Sequence, residues 1–127
     1  MSPRTKATAR KAGTAFETLI ADYLNETVDD RIERRAKNGA NDRGDISGVR
    51  ALGGGRVVLQ CKDYGGRYEE LAQWMRAVET QRGNDDAMVG ALVIKRQRHG
   101  RPEDQTVVMT LADLVALLKG QRGHGDE

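Results

Sequence analysis

Four residues of this 127-residue chain stand out by type and spacing: Glu17, Asp45, Gln60 and Lys62. Arg56-Val-Val-Leu-Gln-Cys-Lys62 reads as a strand, so a period of two puts Val58, Gln60 and Lys62 on one face and Val57, Leu59 and Cys61 on the other. A lysine directly after such an apolar run is costly unless its ammonium reaches water, a ligand or a carboxylate. Asp45 begins the neighbouring strand of a hairpin, so Asp45, Gln60 and Lys62 converge at one end of the sheet. Glu17 lies about 100° around a helix from Phe16, on the margin of its apolar stripe, where its carboxylate can point to the same end. Two carboxylates, an amide and an ammonium in one place are groups that hold or move charge.

A helix and a hairpin must position them. Thr14-Ala-Phe-Glu17 reads as a capping box, and Phe16, Leu19, Ile20, Tyr23 and Leu24 recur at helical spacing, which predicts a helix from about Thr14 to Glu26. A short strand is predicted within residues 31 to 37, and the turn formers from Asn38 to Gly44 make a loop. Asp45-Ile-Ser-Gly-Val49 and Arg56 to Lys62 form the hairpin, reversing at Gly53-Gly-Gly55. Leu71, Trp74, Met75 and Val78 mark a second amphipathic helix ending near Arg82-Gly83. Ala87 to Ile94 is apolar throughout, as a strand covered on both faces requires. Lys95 to Arg101 reads as a loop and Thr106-Val-Val-Met109 as a last strand. Thr110-x-x-Asp113 caps a third helix carrying Leu111, Leu114, Val115 and Leu118. The pattern is α/β, with about four to five strands in a mixed sheet flanked by helices in the order α-β-β-β-α-β-β-α.

With 38% apolar and 31% charged residues, the composition is that of one globular domain rather than a disordered chain. No apolar run reaches the roughly 18 residues of a bilayer crossing, and the N-terminus lacks the apolar centre of a signal peptide. Cys61 is the single cysteine, which excludes an intrachain disulfide and a cysteine-built zinc site and fits a reducing cytosol. Twenty-one Lys and Arg against 19 Asp and Glu give only +2, yet the charges are segregated. Arg4, Lys6, Arg10 and Lys11 form one basic cluster, Arg31, Arg34, Arg35 and Lys37 a second, and Lys95, Arg96, Arg98 and Arg101 a third. Such clusters either make one positive face suited to nucleic acid or are separate solvated patches.

Glu17 in the first helix, Gly44-Asp45-Ile46 at a strand start and Gln60-Cys61-Lys62 ending the next resemble the PD-(D/E)xK nucleases. Within these the resemblance is to the small archaeal-type and phage-encoded Holliday junction resolvases, most closely to the phage-encoded members over Asn38-Gly-Ala-Asn-Asp-Arg-Gly-Asp-Ile46, and it covers roughly Thr14 to Arg96 and more weakly the final strand and helix. It implies a restriction-endonuclease-like core and a Mg²⁺-dependent endodeoxyribonuclease, Mn²⁺ able to substitute. Asp45 would be the central metal ligand, Glu17 a second, and the Gln60 side chain and Cys61 backbone carbonyl would complete the shell. Lys62 would orient the attacking water or stabilise charge on the phosphate. Gln60 departs from the family pattern, in which glutamate is usual, and a neutral ligand implies weaker metal affinity. The implied substrate is a branched duplex, the four-way junction, whose two-fold symmetry implies a homodimer. Arg4, Lys6, Arg10, Lys11, Arg34, Arg35, Arg43, Lys95, Arg96 and Arg98 would hold phosphates. No membrane and no small-molecule cofactor is implied, and the location would be the cytoplasm of a bacterial or phage-infected cell. The chain then divides into a basic N-terminal arm (1–13), a nuclease domain (14–120) and a polar tail (121–127).

Each residue also has a plainer reading. Glu17 could be the return arm of the capping box, Asp45 a turn residue, Gln60 a cross-hairpin partner and Lys62 a strand-end solubility charge. Asp42 and Asp63 lie close enough in sequence to substitute as ligands. Cys61 reads as core, His99 and His124 have no partner at metal-ligand spacing, and Trp74 reads as a helix-to-sheet or dimer contact. Met75, Trp74 and the third helix are the candidates for a dimer interface. The rival functions are a non-catalytic DNA-binding module of the same fold and a nicking, repair or restriction nuclease.

Overall fold

The Thr5 hydroxyl accepts the Thr8 N–H at 3.1 Å and caps the first helix, α1 (Lys6–Thr27). The helix therefore starts more than two turns before the box expected at Thr14. Both threonines have N-cap chemistry, and Ala7, Ala9 and Ala12 let the helix extend back to the earlier one. Thr14 is a mid-helix residue, and 6–13, expected in an N-terminal arm, are the opening turns of α1. The computed structural model describes residues 4–36 and 41–123. Lys37, His124, residues 38–40 of the expected loop and the ends 1–3 and 124–127 lie outside them.

The order is α1, β1 (Glu33–Arg34), β2 (Ile46–Ser47), β3 (Val57–Lys62), α2 (Leu71–Asn84), β4 (Val89–Ile94), a 3-10 turn at Pro102–Asp104, β5 (Thr106–Val108) and α3 (Leu111–Lys119). The class is α/β: a mixed five-stranded sheet in the order β1-β2-β3-β4-β5 with three helices. β3 and β4 are parallel, joined by α2, and every other pair is antiparallel. β1 and β2 are two residues each, shorter than the segments expected, because β2 reaches β3 through a single residue pair, Ile46 with Leu59.

Alternation divides the core. Leu59 and Cys61 of β3 and Ala91 and Val93 of β4 pack with Phe16, Ile20 and Ala21 of α1 and with Ile32 and Ile46. Leu92 and Ile94 face the other way, against Trp74 and Val78 of α2. β4 is thus buried along its whole length, which accounts for its unbroken apolar run. Gly90 allows α2 to approach, since a Cβ there would stand 2.7 Å from Val78 Cγ1.

The Thr110 hydroxyl accepts the Asp113 N–H at 3.1 Å to open α3, and Gly120, at φ 76°, closes it. Arg122, expected in a loose tail, is anchored: Nη1 donates to the Met88 carbonyl at 3.0 Å and to Asp113 Oδ1 at 2.8 Å. Among the described residues, no helix is long and apolar enough to cross a membrane.

Candidate active site

Gly44 and Asp45 set the geometry. Gly44 adopts φ 92°, and a Cβ on it would stand 2.9 Å from the Leu59 carbonyl oxygen, so only glycine lets the chain enter this close to β3. Asp45 then donates its N–H to Leu59 O at 2.9 Å, and its Oδ2 accepts the Cys61 N–H at 2.8 Å. The carboxylate is 3% exposed and tied to the strand that carries Gln60 and Lys62. A plain turn residue would not be buried in this way.

The Lys62 carbonyl accepts the Lys95 N–H on the β4 side, so strand alternation turns the Cys61 carbonyl towards the β2 side, where Asp45 stands. Cys61 packs its thiol into the α1 core, as its sequence position implies. Gln60 faces away from that core and is half-buried, and its Oε1 is buried with no hydrogen-bond partner. A cross-hairpin pairing of Gln60 is thereby excluded for that oxygen. Lys62 is half-buried at the end of β3, with Nζ 5.6 Å from the centre of the Tyr64 ring and 5.7 Å from that of Trp74.

Glu17 stands on α1, which packs on the Leu59 and Cys61 face of β3, the face opposite Gln60 and Lys62. Glu17 is 5% exposed, and Arg34 Nε donates to its Oε1 at 3.2 Å. Arg34 stands opposite Ile46 in the β1–β2 register, and the next residue, Arg35, donates its N–H to the Asp45 carbonyl at 2.7 Å. The Arg34-Arg35 pair therefore connects both candidate acids. Glu17 is not the return arm of a capping box, because Thr14 does not start the helix. Among the described residues, no three His, Cys, Asp or Glu side chains gather as a metal-binding group. A cation at Asp45 would depend on amide and carbonyl oxygens as well as carboxylates.

The two substitute acids have other work. Asp42 accepts the Gly44 N–H at 2.9 Å through Oδ1 and Gln81 Nε2 at 3.0 Å through Oδ2, and its carbonyl accepts Asn84 Nδ2, which fastens the loop to the end of α2. Asp63 pairs with Arg4 at 3.2 Å.

The cations expected to hold phosphates differ in what engages their side chains. Lys6, Arg10 and Lys11 on α1, Arg43 before Gly44, and Arg98 are exposed. Arg4 is engaged by Asp63 and Arg34 by Glu17, while Lys95 Nζ donates to the Arg96 and His99 carbonyls and Arg96 Nη1 to the Asp104 carbonyl. Arg35 is half-buried, with a buried Nε that lacks a partner. Sequence reasoning missed Tyr64 as a neighbour of Lys62, although it stands two residues beyond and so on the same side of an extended chain. It also assigned Arg34 to phosphate, where the fold gives it to Glu17. Comparison of the chain with family models, curated proteins and solved structures finds no match.

Proposed function

We propose that the chain is a metal-dependent, structure-selective DNA endonuclease with a restriction-endonuclease-like core, acting on four-way junctions as a Holliday junction resolvase. The observation that carries this reading is the buried, unpartnered Oε1 of Gln60, one peptide bond from the amide that pins Asp45. A buried polar atom without a partner costs about 1–3 kcal/mol, and a hard cation is a partner that oxygen favours. The buried Nε of Arg35, also unpartnered, lies on the residue whose N–H holds the Asp45 carbonyl, and it is a donor suited to a phosphate oxygen.

Asp45, Gln60 and the Cys61 carbonyl would hold Mg²⁺ or Mn²⁺, with Glu17 a further ligand directly or through water. When bound, the ion neutralises phosphate charge and supplies hydroxide at neutral pH. Lys62 brings a positive charge to the same strand end for the phosphate or the attacking water. Lys6, Arg10, Lys11, Arg43 and Arg98 position the duplex without reading its bases.

Symmetric cutting requires two copies, and α3 is the surface that suits the contact. Trp74 is buried within its own chain, and Met75 packs against the α2 core. On α3, Leu111, Leu114, Val115, Leu117 and Leu118 are exposed, with Val107 on the adjacent edge strand β5.

Incubating the chain with a synthetic four-way junction, a linear duplex and Mg²⁺ or Mn²⁺ tests the reading. Paired nicks in the junction alone uphold it. Duplex cutting points to another nuclease of this kind, and metal-independent binding without cleavage points to a DNA-binding module.

A further inference from the structure

The geometry points to Tyr64 and Trp74 as positioning residues for Lys62, a role that rests on the nuclease reading and identifies what places its ammonium. Nζ lies 5.6 Å and 5.7 Å from the two ring centres, within the roughly 6 Å over which a ring face attracts a cation. The rings are fixed in turn. They meet edge to face with centres 4.7 Å apart, and Trp74 is buried among Val78, Leu92 and Ile94. The backbone beneath is held by the Lys95 N–H on the Lys62 carbonyl at 2.9 Å.

A lysine kept for solubility extends its charge into water. Lys62 instead lies over two rings, and among the described residues no carboxylate pairs with it. The distinction matters chemically. A carboxylate would neutralise the ammonium and occupy its N–H donors, whereas ring faces restrain the cation and leave those donors for a phosphate oxygen or a water. Tyr64 arrives because it follows Lys62 by two residues, and Trp74 because α2 packs on the face to which Lys62 belongs.

NMR of the full chain, without metal or DNA, tests the placement. Ring currents are expected to move the Lys62 ε-methylene protons upfield of ordinary lysine, with the shift retained in Tyr64→Phe and reduced in Tyr64→Leu, where Trp74 alone remains. Unshifted protons in the wild type overturn the proposal. With the junction and Mg²⁺, Tyr64→Leu is expected to lower kcat about 10-fold with KM within about twofold, and Tyr64→Phe to restore the rate. A wild-type rate in Tyr64→Leu also overturns it. Should Tyr64→Leu not fold, Lys62→Met decides through the emission of Trp74, the chain's one tryptophan: a changed spectrum upholds the contact and an unchanged one overturns it. A wild-type chain that cuts no DNA overturns the nuclease reading, while an upfield methylene still upholds the aromatic clamp.

Discussion

Asp45 Oδ2 accepts the Cys61 backbone N–H at 2.8 Å, so this buried carboxylate is positioned by the strand next to it rather than by its own rotamer alone. An asparagine can make the same bond through its amide oxygen while losing the charge. Asp45→Asn is therefore expected to fold, with a thermal midpoint within a few degrees of wild type. It should lose metal binding and DNA cleavage, and keep junction binding at low salt. Isothermal titration with Mn²⁺ and a gel-shift assay check the two halves, and full residual cleavage would refute the site.

Gln60→Glu tests the orphaned oxygen. A carboxylate there adds charge for a cation, so Mg²⁺ affinity should rise by about tenfold. In EDTA the same variant should be less stable than wild type by about 1–3 kcal/mol, because the new charge is partly buried without a partner. Saturating Mg²⁺ should recover the loss, which urea unfolding with and without the ion measures.

Leu118, 76% exposed on α3, is the choice for testing the dimer. Leu118→Glu should leave unfolding midpoints of the monomer within about 0.5 kcal/mol, as surface substitutions do. Sedimentation of the wild type should give a dimer and of the variant a weaker one. A monomeric wild type would remove α3 from the proposal.

The Asp113–Arg122 pair is a stability element. Asp113 is 3% exposed, bonded to Arg122 at 2.8 Å and to the Thr110 hydroxyl at 2.8 Å, so removing the cation strands a buried carboxylate. Arg122→Met is expected to cost about 3 kcal/mol in urea unfolding, without affecting metal affinity.

Two ion pairs predict a pH effect. Hydrogen bonds from Arg31 lower Asp29 from 3.8 to about 2, and the Arg82 guanidinium lowers Glu79 from its ordinary 4.5. A carboxyl depressed in the folded state stabilises above its unfolded value and stops doing so as pH falls through the folded one. Asp29→Asn should therefore be less stable than wild type at pH 5 and above, with the gap closing as pH falls and the two converging only below about pH 2. Urea midpoints measured across that range give the result.

Much of the scaffold was legible in the amino-acid sequence because it follows from local chemistry. The strand assignments of β3 and β4, the α2 stripe and the α3 helix with its cap at Thr110 rest on spacings of two to four residues, and the structure has each of them, although the leucines expected along α3 stay exposed while Asp113 and Ala116 are buried. The opposition of Gln60 and Lys62 to Leu59 and Cys61 follows from the pleat of a single strand. The start of α1 was not legible, since Thr5 and Thr14 offer the same cap chemistry and the box at Thr14 matches the local pattern although the helix begins at Lys6.

Tertiary structure decided the partners. Arg34 and Glu17 are 17 residues apart and Arg4 and Asp63 are 59 apart, and no local pattern assigns such pairs. Whether a basic residue faces a phosphate or a carboxylate depends on which strand lies beside it. The same holds for Asp42, whose acidity suggested a ligand and whose place beside α2 makes it an anchor for the loop. Residue type and period determined which groups could meet at one end of the sheet; only the packing of α1, β1 and α2 against β3 determined which atoms engage one another there. Charges attract across space rather than along the chain, and that space exists only once the chain has folded.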